Sequence, residues 1–227
     1  MNINELFGVS GKVAIVTGGS RGIGEMITSG FLANGVKVYI TARKEGPLIE
    51  KAEELSKKYN GNCIPIACDL SSSVGTSFFV EKILKHEKGI DFLINNAGAA
   101  WGEPYKSFSE SGWDKVMDLN VKSLFFLTQK LTDLLKANST KEDPSRVINI
   151  GSIDGLNVPA FETYSYSTSK AAVHHLTRVL AARLVKENIL VNAIAPGPYP
   201  SQMLGAAVNH DYSELASRNP RNRVGKP

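Results

Sequence analysis

With 227 residues, 42% hydrophobic and 21% charged, the chain has an ordinary globular composition and enough length to bury a sizeable core. That composition excludes collagen-like, mucin-like and disordered classes, and no run approaches the roughly 18 apolar residues of a membrane span. Half of the net charge of +4 falls between Asp211 and Pro227, where Arg218, Arg221, Arg223 and Lys226 face Asp211 and Glu214. No dense basic stripe marks a nucleic-acid surface, so no nucleic-acid partner is expected. The first eleven residues lack the basic and apolar pattern of a secretory leader, and a cytoplasmic location is expected.

In chain order, residues 12–17, 36–41, 62–68, 91–95, 146–150 and 189–194 read as strands. Several are apolar almost throughout, as befits strands covered on both faces of a parallel sheet. Val80, Ile83 and Leu84 recur at helical spacing on a short segment entered through the turn 69–73. Leu124, Leu127, Leu131, Leu134 and Leu135 do so on a longer one. Residues 137–145 are a polar surface loop. This alternation, unbroken by any linker, predicts one α/β domain over residues 1–227. Its expected form is a doubly wound, Rossmann-type parallel sheet with helices on both faces.

Cys63 and Cys68 lie five apart in the third strand. That is roughly 16 Å of extended chain, beyond disulfide reach, and the odd spacing turns the side chains to opposite faces. They read as separate buried thiols of a reducing compartment. Pro65 has no amide to donate, which suits an edge strand. His86, His174, His175 and His210 show no metal-ligand spacing, so structural or surface roles and no metal site are expected.

Ligands of such folds bind beyond the carboxyl ends of the strands. Directly after the first strand stand Gly18, Gly19, Ser20, Arg21, Gly22, Ile23 and Gly24. The spacing Gly18, Gly22, Gly24 departs from G-x-G-x-x-G but keeps its context. A strand ends, glycines permit a tight turn, and a helix begins whose N-terminal amides favour a pyrophosphate. The second strand ends at Thr41-Ala42-Arg43-Lys44 without the acid that an NAD site wants. Arg43, together with Arg21, can instead hold a 2′-phosphate, so NADP(H) is the expected nucleotide.

Tyr166 and Lys170 are four apart, on one face of a helix. A neighbouring ammonium favours the phenolate, so such a pair can do acid–base work near neutrality. Tyr164 has Thr168 in the equivalent place, which offers no charge.

The glycine loop, Asn95-Asn96-Ala97-Gly98 after the fourth strand, Ser152 after the fifth, then Tyr166 and Lys170, occur in that order. From about residue 10 to 227 this pattern resembles the short-chain dehydrogenase/reductase family. Asp69-Leu70, Asn120 and Pro196-Gly197 extend the match. The resemblance implies that Tyr166 protonates a substrate carbonyl oxygen as hydride arrives. It implies that Lys170 holds the nicotinamide ribose and lowers the phenol's pKa. Ser152 would hydrogen-bond the carbonyl oxygen, and Asn120 would support a water path to the lysine. Asp69 and Leu70 would border the adenine, with packing as the other reading for Leu70 and Asn95. Asn96, Ala97 and Gly98 would wall the adenosine ribose; Ile194, Pro196 and Gly197 would lie against the nicotinamide. Segments 93–98, 111–120, 145–152 and 195–203 look most like NADPH-dependent 3-oxoacyl reductases, including the rhamnolipid-biosynthesis type. A small carbonyl substrate linked to acyl-carrier protein or coenzyme A is therefore expected. The alternatives are an NADP-dependent dehydrogenase of a sugar or other secondary alcohol, and a non-catalytic, shortened nucleotide-binding chain. Trp101, Ile153, Phe161, Tyr199 and Met203 would sit near the pocket mouth, where acyl binding and ordinary loop packing both explain apolar residues.

Two departures accompany the resemblance. Relatives continue past a Gly-Lys-Pro stretch like residues 225–227 into another helix and a last strand. An absent last strand and an open edge at residues 189–194 are therefore expected, with a homodimer or homotetramer expected of the full-length chain. Ser152 and Tyr166 are fourteen apart where relatives more often show thirteen, which one insertion in the loop 154–163 absorbs.

Overall fold

The computed structural model describes residues 7–159, 161–209 and 211–226; His210 lies outside them. Six parallel strands form one sheet: β1 (Val13–Thr17), β2 (Lys37–Ala42), β3 (Cys63–Ala67), β4 (Phe92–Asn95), β5 (Ser145–Ile150) and β6 (Ile189–Ile194). Their order is β3-β2-β1-β4-β5-β6, so the strand sequence reverses between β1 and β4 and opens a crevice there. The doubly wound expectation holds, with boundaries moved by a residue or so.

Strand alternation divides the core in two. Ala14, Val16, Val38, Ile40, Phe92 and Ile94 face one way, onto Leu32 of α1 (Gly22–Ala33) and Leu48, Ala52 and Leu55 of α2 (Glu45–Tyr59). The intervening Ile15, Tyr39 and Leu93 face the other way. They meet Phe79 and Ile83 of α3 (Ser73–His86), Leu127 and Leu131 of α5 (Ser123–Ala137) and Val173 and Leu180 of α6 (Tyr164–Leu184). Burying large aliphatic side chains contributes about 1.5–3 kcal/mol each, which is what holds both layers to the sheet. Cys63 and Cys68 are free thiols packed against opposite layers, as their odd spacing requires. Pro65 does lie on an edge strand.

Leu84 is the exception to the periodic reading. It is 56% exposed, because only the Phe79, Val80 and Ile83 side of α3 meets the sheet layer. Between α4 (Glu110–Met117) and α5 the helix loosens into a π-helical turn, Asp118–Lys122, which carries Asn120. Two short helices, α7 (Gln202–Ala207) and α8 (Ser213–Ser217), follow β6. β6 is the other edge of the sheet and leaves Leu190 and Ile194 exposed. No helix of the described residues is long and apolar enough to cross a membrane.

Candidate active site

The expected site residues gather at the carboxyl ends of the strands. The glycine loop follows β1, Arg43 follows β2, Asp69 follows β3, Asn96 to Gly98 follow β4, Ser152 follows β5, and Pro196 and Gly197 follow β6.

Gly18 has φ +64°, a conformation that side chains rarely adopt. A Cβ at Gly24, in the first turn of α1, would overlap the Gly18 carbonyl oxygen and the Asn96 amide. The loop therefore folds flush onto its helix, and any atom larger than hydrogen would lift it. Asn96 braces it from β4: Nδ2 donates to the carbonyls of Thr17 (2.8 Å) and Gly18 (3.2 Å). The Thr17 hydroxyl accepts from the backbone amides of Asn96 and Ala97, each at 2.9 Å. Ser20, Gly22 and Ile23 are half-buried around the turn into α1. This cradle of backbone at a helix start fits a pyrophosphate. Arg21 and Arg43 are both exposed at its rim; Arg21 donates to Gln202 Oε1 at 2.7 Å.

At the third strand end, Asp69 Oδ1 accepts from the Ser71 amide (3.0 Å) and hydroxyl (2.8 Å), which shapes the turn into α3. Leu70 packs in the core at 4% exposure, so its side chain faces protein and a nucleotide would meet only its backbone. Asn95 also packs. Its amide donates to Thr128 Oγ1 (3.1 Å) and Asn149 Oδ1 (2.9 Å), and Asn149 donates to Thr177 Oγ1 (2.9 Å). This buried chain ties β4 and β5 to α5 and α6.

The groups expected to handle protons meet between β5, the π-turn and α6. Lys170 is 6% exposed, and its ammonium donates to the Ile150 carbonyl at 2.7 Å. Burial lowers its pKa to about 8. The ammonium is 5.6 Å from the Tyr166 ring centroid. The expected lowering of the phenol is not what prevails. Burial raises Tyr166 above its ordinary value, the Ser152 hydroxyl pulls it down, and the Asp154 charge raises it again. Ser152 Oγ accepts from the Asp154 amide at 3.1 Å, which leaves its own proton to donate. Asn120 Oδ1 accepts from the Ala99 amide (2.8 Å), and Nδ2 donates to the Ala99 carbonyl (3.0 Å) and Ser169 Oγ (2.9 Å). Ser169 Oγ donates in turn to the Tyr166 carbonyl at 2.7 Å. Asn120 thereby joins the β4 loop to the first turns of α6.

Three neighbours were not singled out by sequence reasoning. Ser169 links Asn120 to α6. His174, four residues after Lys170, accepts the Ser152 amide on Nε2 at 3.4 Å and fills the space where a Cβ of Gly151 would stand. Its spacing from Lys170 was the one available signal. Asp154 has no motif at all. The Ile153 amide donates to the Pro196 carbonyl (3.2 Å), and Gly151 donates to Ile194 (2.8 Å), which locks the Ser152 loop to the β6 loop. Of the expected pocket-mouth residues, Ile153, Phe161 and Met203 are substantially exposed. Trp101 instead packs on Gly112 of α4, with the Lys115 ammonium 4.1 Å from its ring centroid.

A six-stranded doubly wound sheet with this cradle and a Ser–Tyr–Lys cluster defines a nucleotide-dependent oxidoreductase scaffold. Residues 12–211 match the short chain dehydrogenase family, and the chain belongs to that family. It is 44% identical over 223 residues to the rhamnolipids biosynthesis 3-oxoacyl-[acyl-carrier-protein] reductase of Pseudomonas aeruginosa, covering 97% of this chain and 86% of that one. It is 36% identical to the 2-dehydro-3-deoxy-D-gluconate 5-dehydrogenase of Dickeya dadantii, covering 97% and 85%. The Pseudomonas aeruginosa RhlG/NADP active-site complex matches with a TM-score of 0.92 at 42% identity, covering 97% and 86%.

Proposed function

We propose that the chain is an NADPH-dependent ketone reductase whose first substrate class is the 3-oxoacyl thioester. The observation that carries this reading is the convergence of Ser152, Tyr166 and Lys170 at the crevice, with Arg21 and Arg43 at the nucleotide end of the same strand edge. The similarity to a 3-oxoacyl reductase and to an NADP complex supports it.

A reduced nicotinamide, when bound, supplies the hydride that the carbonyl carbon accepts. Ser152 and Tyr166 donate to the substrate oxygen, which stabilises the charge that develops there. Tyr166 then gives up its phenolic proton, and the alcohol forms. A buried phenol resists ionisation, so the proton leaves it only where an alkoxide of higher basicity awaits. Lys170, poised near pH 8, lies beside the ring to return the proton. Asn120 holds the π-turn, and hence the proton path, against α6. Arg43 and Arg21 would hold a 2′-phosphate by charge-assisted hydrogen bonds. Gly18 to Gly24 would seat the pyrophosphate, Asp69 and the Leu70 backbone would border the adenine, Asn96 to Gly98 would wall the adenosine ribose, and Pro196 and Gly197 would lie against the nicotinamide.

The chain acts as one nucleotide-binding unit, located in the cytoplasm, a reading supported by its two separate free thiols. A homodimer or homotetramer is the expected assembly, and Phe126 and Val179, exposed beside a groove lined by Phe125, Leu180 and Leu184, give α5 and α6 an apolar face that such an assembly would cover.

The test is oxidation of NADPH or NADH by acetoacetyl-CoA, with nucleotide fluorescence titrated in parallel. Turnover that prefers NADPH is expected. Turnover of secondary alcohols with NADP⁺ but none of acetoacetyl-CoA would overturn the substrate class. Absence of both binding and turnover would leave a non-catalytic chain.

A further inference from the structure

Asp154 stands two residues beyond Ser152, on the one-turn helix Ile153–Gly155. That turn is pressed against α6 beside the proton-handling pair. A Cβ on Gly155 would lie 2.5 Å from the Lys170 carbonyl carbon and 2.6 Å from the Ala171 nitrogen. Asp154 uses its backbone amide on Ser152 Oγ. Its carboxylate is half-buried and, among the described residues, has neither a hydrogen-bond donor nor a cationic partner. Keeping such a group without a partner is costly. A three-residue turn has too little dipole to compensate, and the helix's first-turn amide is already engaged. Its charge is felt at the reacting end, being one of the causes that hold the Tyr166 phenol up.

We propose that Asp154 is a specificity-determining residue that rejects substrates carrying a carboxylate within a few bonds of the reacting ketone and admits neutral ones, esters and thioesters included. The inference rests on the ketone-reductase reading of this site. The Asp154 amide lies 3.1 Å from Ser152 Oγ, so a carbonyl oxygen held by Ser152 and Tyr166 would bring its near substituents within reach of the Asp154 charge. A second carboxylate there meets like charge in a partly dehydrated cleft, whereas an ester or thioester meets no such penalty. Discrimination by repulsion needs no contact with the accepted substrate.

The test uses one ketone in two charge states, ethyl acetoacetate and acetoacetate, each reduced with NADPH by the full 227-residue chain. The unmodified protein is expected to favour the ester by about tenfold or more in kcat/KM. Asp154→Asn removes the charge and keeps the shape. It should raise kcat/KM for acetoacetate about tenfold or more relative to the ester, because any change in Tyr166 acidity acts on both ketones and cancels in the ratio. Asp154→Ser is the second variant should the first lose its cooperative melting transition or its NADPH binding. An unchanged ester-to-acid ratio in either folded variant overturns the proposal. If the unmodified protein reduces neither ketone, acetoacetyl-CoA turnover still decides the reductase reading, and binding decides the role of Asp154. The NADP⁺-loaded protein is then titrated with butyrate and with butyramide. Asp154→Asn should tighten butyrate about tenfold and leave butyramide unchanged; equal effects on both, or none, overturn it.

Discussion

The Lys170 ammonium donates to the carbonyl oxygen of Ile150, the last residue of β5, at 2.7 Å. One backbone acceptor is scant company for a charge at 6% exposure, and burial holds the folded-state pKa near 8, against an ordinary value of 10.5. Between those values the unfolded chain binds the proton and the folded chain does not, so stability rises with pH there. Below about pH 8 the charge is buried at full cost. From pH 7 to 9.5 the unmodified protein should gain about 2 kcal/mol in unfolding free energy relative to Lys170→Met. Urea denaturation of both proteins across that range checks it. Parallel pH dependence in the two would show that Lys170 is not desolvated.

Tyr166→Phe keeps the ring against the Lys170 ammonium and removes only the proton donor. Turnover should fall about a thousandfold, within the range that a lost general acid accounts for. NADPH affinity should stay within about threefold, since no nucleotide contact is asked of the hydroxyl. Single-turnover kinetics and fluorescence titration separate the two effects.

Arg43 is exposed at the end of β2, where a 2′-phosphate would lie. Removing a charge-assisted hydrogen bond costs about 1.5–3 kcal/mol. Arg43→Ala should therefore weaken NADPH binding roughly 10- to 100-fold and leave NADH within about twofold. Equal losses for both nucleotides would move the phosphate site elsewhere.

The chain Thr128–Asn95–Asn149–Thr177 crosses the core from α5 to α6. Asn149→Leu fills a similar volume but leaves the Asn95 amide without one of its two acceptors. It should lower unfolding free energy by about 2 kcal/mol, because an unmet buried donor bears its desolvation cost alone. Asn95→Leu combined with Asn149→Leu should cost less than the sum of the single changes, as measured by a double-mutant cycle in urea.

Much of the fold was legible because strand and helix periodicity are properties of a few consecutive residues. The nearly unbroken apolar runs 12–17 and 36–41 carried the two-faced sheet, and the odd spacing of Cys63 and Cys68 carried their separation to opposite layers. The order of the glycine loop, Asn96, Ser152, Tyr166 and Lys170 located the site, since parallel strands deliver every such loop to one edge. Leu84 misled because periodicity says that a helix has an apolar face, not how wide a face its neighbours will cover. Leu70 and Asn95 were open between packing and ligand until their partners were seen.

From the sequence alone came the sheet, the family resemblance and the candidate catalytic side chains, all of which rest on local pattern and chain order. Only the tertiary structure decided the state of those side chains. The raised Tyr166 phenol, the lowered Lys170 ammonium, the His174 ring under Gly151 and the Asp154 carboxylate, unpaired among the described residues, are products of burial. Burial and charge interaction sum over segments that are distant in the chain, here β5, the π-turn, α6 and the β6 loop. No spacing in one segment carries that sum, because proton affinity depends on what the rest of the fold leaves in place of water.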